Sequence, residues 1–253
     1  MLSRGYTTEL LTGKDSSKRK SRIPARIDFL QSVSGLVLAL FIMFHLVFES
    51  SILLGKDAMY MLTKVFEGEP FIQGGEPLII SVLAFIIFAF FVLHAGVAMR
   101  KFPSSYKEYR RYTEHKALLN HNDTNLWYVQ IMTGFIMFFL GSIHLYIMMT
   151  QPENIGPYAS SDRVYSDLMW PMYLVLLISV VLHAGIGLYR LIIKWGVFDG
   201  KDPKANRQRS RRIAKVLVTA YLLLGLASLG AYMRIGYEHR GEYGQRYVPG
   251  SGK

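Results

Sequence analysis

PLIISVLAFIIFAFFVLHAGVAM, residues 77–99, runs without a charged side chain and carries one histidine, His94, towards its far end. At 1.5 Å per residue a helix of this length is about 34 Å long, enough to cross the roughly 30 Å hydrocarbon core of a bilayer. Four further uncharged stretches read the same way: Phe29–Phe48, Leu126–Met149, Leu168–Tyr189 and the shorter Val216–Met233. Backbone polar groups inside hydrocarbon must be satisfied within their own segment, so each stretch is expected to be helical. With interfacial ends included, the spans are set at about 27–54, 77–101, 124–150, 167–195 and 207–235. The expected fold is all-α, an integral membrane bundle of five transmembrane helices forming a single domain over residues 1–253. A hydrophobic content of 51% and a mean hydropathy of +0.22 agree with a lipid solvent.

The net charge of +11 suggests nucleic acid until its distribution is followed along the chain. Lys plus Arg number 7 before the first span, then 2, 6, 1 and 9 in successive connections, and 4 after the last. This alternation fits topology, with no nucleic-acid partner. Basic connections stay in the cytoplasm, so the N-terminus is expected inside and the C-terminus outside a bacterial inner membrane. The connection holding Lys201, Lys204, Arg207, Arg209, Arg211 and Arg212 is the densest basic cluster, either a docking face or a topology signal touching anionic lipid.

Of seven histidines, His115, His121 and His239 lie outside the spans, whereas His45, His94, His144 and His183 lie within them. An ionisable side chain inside a membrane helix is costly and marks a functional site by default. His45 and His144 each follow the start of an outward-running helix by 19 residues, counted from Arg26 and Asn125, which puts both about 28 Å from the cytoplasmic end. His94 and His183 precede Arg100 and Arg190 by six and seven residues on inward-running helices, about 10 Å from that end. Two histidines at each of two depths are what bis-histidine ligation of two stacked b-type haems requires. With both axial positions filled, such haems carry electrons and leave no site for oxygen. The absence of cysteine excludes disulfides, thiolate-held iron–sulfur clusters and covalent c-type haem in this chain.

An internal repeat supports the pairing. Gln31, Gly35, His45 and Leu46 recur 99 residues later as Gln130, Gly134, His144 and Leu145, and VLHAG at 92–96 recurs at 181–185. Small residues lie one turn from three of the histidines, namely Ala98, Gly141 and Gly187, and leave room for a flat macrocycle. In the fifth span Gly225, Ala227, Ser228, Gly230 and Ala231 suit close helix packing, so this helix is expected to sit outside as scaffold. The residues by themselves also admit a cytochrome b anchor of a different dehydrogenase, or a haem-free, histidine-lined proton or metal transporter.

The stretches KRKSRIPARIDFLQSVSGL, LHAGVAMRKFP, TGFIMFFLGSIHLYIMMTQPENIGP and LHAGIGLYRLIIKWGVFDG resemble the dihaem cytochrome b subunits of bacterial fumarate reductases and succinate:quinone oxidoreductases. The resemblance covers nearly the whole chain. It implies a membrane anchor passing electrons between menaquinone and a cytoplasmic iron–sulfur subunit, beside a flavoprotein that holds FAD and handles fumarate or succinate. A dimer of such complexes is compatible with it. It further implies that His94 and His183 bind the proximal haem and His45 and His144 the distal one, with propionate contacts at Gln31, Ser32, Trp127 and Lys194.

The outer connection KVFEGEPFIQGGEP offers Glu67, Glu69 and Glu76, with Glu49 nearby on the first helix. Quinol oxidation releases two protons and needs an acceptor. Resemblance within KVFEG implies that Glu67 deprotonates the quinol. In one respect the chain departs from its likeness: some fumarate reductases of this type have ELH where this chain has Val181-Leu182-His183, so a titratable side chain is absent there and turnover is expected to charge the membrane.

Overall fold

A computed structural model describes residues 22–103, 105–119, 122–197 and 202–250; nothing is described of the side chains at 115–119 and 122–123, so His121, Lys201 and the side chain of His115 fall outside what is described. The described chain is helical, without strands. Its helices are α1 (Ile23–Glu49), α2 (Lys56–Phe66), α3 (Leu78–Met99), α4 (Tyr106–Leu119), α5 (Asn122–Thr150), α6 (Pro157–Tyr165), α7 (Trp170–Trp195) and α8 (Pro203–His239). Five segments are long and apolar enough to cross a membrane: Ile23–Leu54, where α1 continues into a 3-10 turn, Leu78–Met99, Thr124–Thr150, Trp170–Trp195 and Pro203–Glu242.

Local chemistry sets the ends. Proline occupies the first turn of α1, α6, α7 and α8, where the missing N–H has no partner to lose. Asp202 caps α8 by accepting from the Ala205 N–H at 3.0 Å. Gly196, in the left-handed conformation, closes α7. Within the spans, Ser32, Ser34, Thr133, Ser142 and Ser228 donate their hydroxyls to carbonyls four residues back, so these polar groups need no water.

Helices α1, α3, α5 and α7 form a closed ring in which each packs on the next and α7 returns to α1. The last span differs from the expectation. It belongs to the longest of the described helices, which starts at Pro203 ahead of the expected 207, so that Lys204 falls in its first turn and Arg207, Arg209, Arg211 and Arg212 follow within the helix. Arg, Lys, Ala and Gln are good helix formers, and the Asp202 cap starts the helix ahead of the apolar run. α8 packs along α7 and α6 outside the ring, yet Gly225, Ser228, Leu229 and Tyr232 reach through to its interior.

The three short helices were not evident from hydropathy, which is blind to segments that lie outside the hydrocarbon. At the end of the bundle opposite the basic connections, α2, α6 and the end of α8 make a small core of Ile52, Met59, Val164, Tyr232 and Ile235. The C-terminal segment returns over it: His239 Nδ1 lies 3.1 Å from Asp162, the Gly244 N–H donates to Asp162 at 3.0 Å and the Tyr247 hydroxyl to Asp57 at 2.7 Å.

Candidate haem sites and the histidine pairs

The ring of four helices encloses a cavity of about 1160 Å³, lined by all four intramembrane histidines. That exceeds the roughly 300–1,000 Å³ of a pocket for one drug-sized molecule. His94 on α3 faces His183 on α7 with ring centres 6.4 Å apart, and His45 on α1 faces His144 on α5 at 6.0 Å. Two imidazoles bound through nitrogen at about 2 Å on opposite sides of one metal place their ring centres roughly 6 Å apart. Both pairs therefore have the separation that axial ligation demands.

Around the pair nearer the basic end, the internal repeat acquires a structural meaning. A Cβ added to Gly35 would lie 2.8 Å from the His94 ring, and one added to Gly134 would lie 2.8 Å from the His183 ring. Each glycine thus lets an imidazole rest against the neighbouring helix backbone, a role that the repeated sequence marks without explaining. His183 donates its Nδ1–H to the Gln130 carbonyl at 2.8 Å, with Thr133 Oγ1 at 3.5 Å. His94 makes the corresponding bond to the Gln31 backbone, with Ser34 Oγ 3.1 Å from its Nδ1. Donation from Nδ1 selects the tautomer whose Nε2 lone pair is available to a metal.

The pair nearer the opposite end lacks such anchors. His45 stacks between Phe41, at 5.5 Å, and Phe48, at 6.5 Å. His144 meets the edge of Tyr173 at 5.7 Å, and its Nδ1 is buried with no hydrogen-bond partner among the described residues. Ala98, Gly141 and Gly187, the small residues one turn from three histidines, all line the cavity.

Polar groups gather at the two ends of the cavity. Gln31, Ser32, Trp127 and Lys194 line its basic end together with Lys101 and Arg190, which the sequence reading did not include. Lys194 donates to Ser32 Oγ at 2.6 Å and pairs with Asp28, which Lys101 also reaches at 2.5 Å. Gln31 Oε1 is buried without a partner among the described residues, and Trp127 packs edge-on against Tyr112. The opposite end holds Glu49, Arg163, Tyr173 and Tyr232. Arg163 had a signal in the sequence, being the one basic residue between the third and fourth spans. It is 8% exposed and donates to the Asn154 carbonyl.

Glu67 ends α2 and is only 3% exposed. Its carboxylate accepts from Lys64 Nζ at 2.6 Å, and that hydrogen bond is the main cause of a Lys64 pKa above the ordinary lysine value. Lys64 also donates to the Gly74 carbonyl at 3.0 Å, tying the following turn over the pair. Glu67 is not itself in the cavity wall, but its neighbour Phe66 is, packed edge-on against Phe48 with centres 4.7 Å apart. Glu69 and Glu76 are farther from the cavity chemistry: Glu69 is exposed, and Glu76 accepts from the Leu78 N–H at the start of α3.

Comparison with known proteins bears on the same residues. Residues 106–225 match the family of succinate dehydrogenase/fumarate reductase transmembrane subunits. The fumarate reductase cytochrome b subunit of Wolinella succinogenes is 51% identical over 231 residues, spanning 91% of this chain and 90% of that protein. Those of two Helicobacter pylori strains are each 46% identical over 228 residues, spanning 90% of this chain and 88% of theirs. The chain belongs to the fumarate reductase cytochrome b subunits. It is an integral membrane protein, the anchor subunit of its complex, and as a cytochrome b it is a haem protein. Membership sets aside the transporter and the anchor of an unrelated dehydrogenase, readings that the residues alone had left open. The fit of a haem to this cytochrome b rests on its own geometry: facing imidazoles at the ligation distance, an orphaned His144 Nδ1, and glycines that hold two of the rings in place.

Proposed function

We propose that this subunit oxidises menaquinol near the outer face of a bacterial inner membrane and passes electrons through two b-type haems towards the cytoplasm. The observation that carries the reading is the pair of facing imidazole couples, 6.4 and 6.0 Å apart, opening on one cavity. Among the described residues no three His, Cys, Asp or Glu side chains converge as a bare ion would need. Two ligands suffice for iron already held in the plane of a macrocycle.

In this reading His94 and His183 hold the proximal haem and His45 and His144 the distal one. When bound, the haems supply one-electron transfer across the bilayer. The protein's own part at the proximal pair is to keep both imidazoles in the Nδ1–H tautomer, by hydrogen bonds to the Gln31 and Gln130 backbones. Gln31, Ser32, Trp127 and Lys194 are the proposed partners of haem carboxylates at the basic end, with Asp28 orienting Lys194. Because basic segments remain inside, that end is cytoplasmic, the N-terminus lies inside and the C-terminus outside. A flavoprotein with FAD and an iron–sulfur subunit would dock there, and two such complexes could pair.

Glu67 lies at the outer end, and we assign it the acceptance of a proton from menaquinol. Lys64 holds its carboxylate in place while Phe66 and Phe48 separate it from His45. Val181, buried on α7 two residues before His183, offers no titratable group there. Electrons moving inward from a quinol oxidised outside therefore charge the membrane, against about 2.3 kcal/mol per charge at 100 mV.

Purified with its partners, the wild-type complex should contain two haems b per copy of this subunit and couple menaquinol oxidation to fumarate reduction. A haem-to-subunit ratio of one or less overturns the two-haem reading, and absence of menaquinol-driven fumarate reduction overturns the assigned reaction.

A further inference from the structure

Glu49 is the last residue of α1 and lies one helical turn beyond His45, so both side chains share one face of the helix. Unlike Glu67, Glu49 is in the wall of the cavity. Its Oε2 accepts the Tyr232 hydroxyl at 3.0 Å, and Tyr232, on α8, is only 5% exposed. The Tyr232 oxygen is further located by the Met59 sulfur at 3.5 Å, while Ser228 Oγ of α8 lies 3.0 Å from Ser50 Oγ beside it. A helix outside the haem-enclosing ring thus holds this carboxylate at the outer end of the cavity through Tyr232, and packs against the residue after it through Ser228.

The residues that precede the two acidic side chains touch: Phe48, before Glu49, and Phe66, before Glu67, meet edge-on with ring centres 4.7 Å apart. A hydroquinone has hydroxyls on opposite edges of a flat ring, and its oxidation to the quinone releases two electrons and two protons. The electrons leave one at a time through the subunit to fumarate, which takes two electrons and two protons to become succinate. A single carboxylate accepts one proton and must discharge it before accepting another. A second carboxylate at the same end of the molecule removes that delay.

Resting on the menaquinol reading above, we infer that Glu49 is the acceptor of the second quinol proton and that Tyr232 is its positioning residue. Glu67 and Glu49 each take one proton, and α8 is part of the quinol site. Arg163 and Tyr173, which line the same end of the cavity, set the polarity around Glu49 without replacing its function as a base.

The test uses the intact complex. Glu49→Gln keeps an oxygen that accepts from Tyr232 but cannot take a proton. It should lower the kcat for menaquinol-driven fumarate reduction by about 100-fold, the scale of a lost general base, with both haems still bound. Glu49→Asp should recover a substantial part of that loss. Tyr232→Phe, which leaves the carboxylate but frees it, should lower kcat by roughly 3- to 10-fold with no loss of haem. A role confined to joining α1 and α8 predicts instead that the Gln variant is normal and that the Asp and Phe variants are impaired. Wild-type turnover in Glu49→Gln overturns the inference while leaving the menaquinol reading intact. Wild-type complex that holds its haems yet cannot oxidise menaquinol overturns both.

Discussion

The two histidine pairs of this cytochrome b share a separation and differ in everything around them. The pair nearer the basic end, His94 and His183, is held by repeated devices: a glycine beneath each ring, a backbone carbonyl on His183 Nδ1 and its counterpart on His94, and a hydroxyl alongside. The other pair, His45 and His144, has aromatic neighbours, an unpartnered Nδ1 and a cluster of acidic, basic and phenolic groups within the same end of the cavity. An anchored imidazole changes little between redox states, which suits a site that only relays electrons. A loosely anchored one beside titratable groups suits the site where proton chemistry is done. The internal repeat relates His45 to His144 and His94 to His183, so each pair takes one ligand from each half of the chain, and the two pairs differ in what surrounds them.

The largest effects come from removing a ligand. His45→Ala or His144→Ala should lose the distal haem, and His94→Ala or His183→Ala the proximal one, so that each purified variant retains one haem per subunit. Two haems retained in every variant would end the comparison between the pairs, and so would indistinguishable spectra of the haem left by the two classes. Because ligation contributes to assembly, lower yields of the variants are also expected.

Next is Glu67→Gln, which preserves shape and removes the carboxylate. Menaquinol-driven fumarate reduction should fall at least 100-fold with both haems retained. Reduction of fumarate by an artificial donor that enters at the iron–sulfur subunit should continue. Normal menaquinol turnover would move the proton acceptor elsewhere and detach the outer pair from the quinol chemistry.

The glycine cradles give an intermediate and selective effect. A methyl group at Gly35 or Gly134 must displace an imidazole, since its Cβ would sit 2.8 Å from the ring. Overpacking of this kind costs about 1–3 kcal/mol. Gly35→Ala and Gly134→Ala should therefore weaken retention of the proximal haem by roughly 10- to 100-fold and spare the distal one. Equal loss of both haems would show that these glycines serve general packing.

Smallest is the effect of the hydroxyls beside the proximal ligands. Ser34→Ala and Thr133→Val should shift the midpoint potential of the proximal haem alone, with haem content unchanged, because the backbone carbonyls still hold Nδ1. Redox titration of the purified variants reads this directly. A shift confined to the distal haem would contradict the assignment of the pairs by depth.

The membrane made much of this legible in the residues themselves. A hydrocarbon slab fixes how long each apolar run must be, and a rise of 1.5 Å per residue turns sequence position into depth. Five spans, and the sorting of His94 with His183 and of His45 with His144, follow from those two lengths, and the structure brings together the histidines that share a depth. Rotation about the helix axis was a different matter. In water an amphipathic stripe reveals which face is buried, but a helix that is apolar all round carries no such signal. Only the folded structure could therefore turn Gly35 towards His94, bring Tyr232 through from α8 to Glu49, and set Glu67 behind the cavity wall while Phe66 lines it. The short helices outside the span lengths escaped for a related reason: α2 and α6 are held by contacts with distant parts of the chain, such as Tyr247 with Asp57 and His239 with Asp162, and no local pattern in their own residues announces those partners.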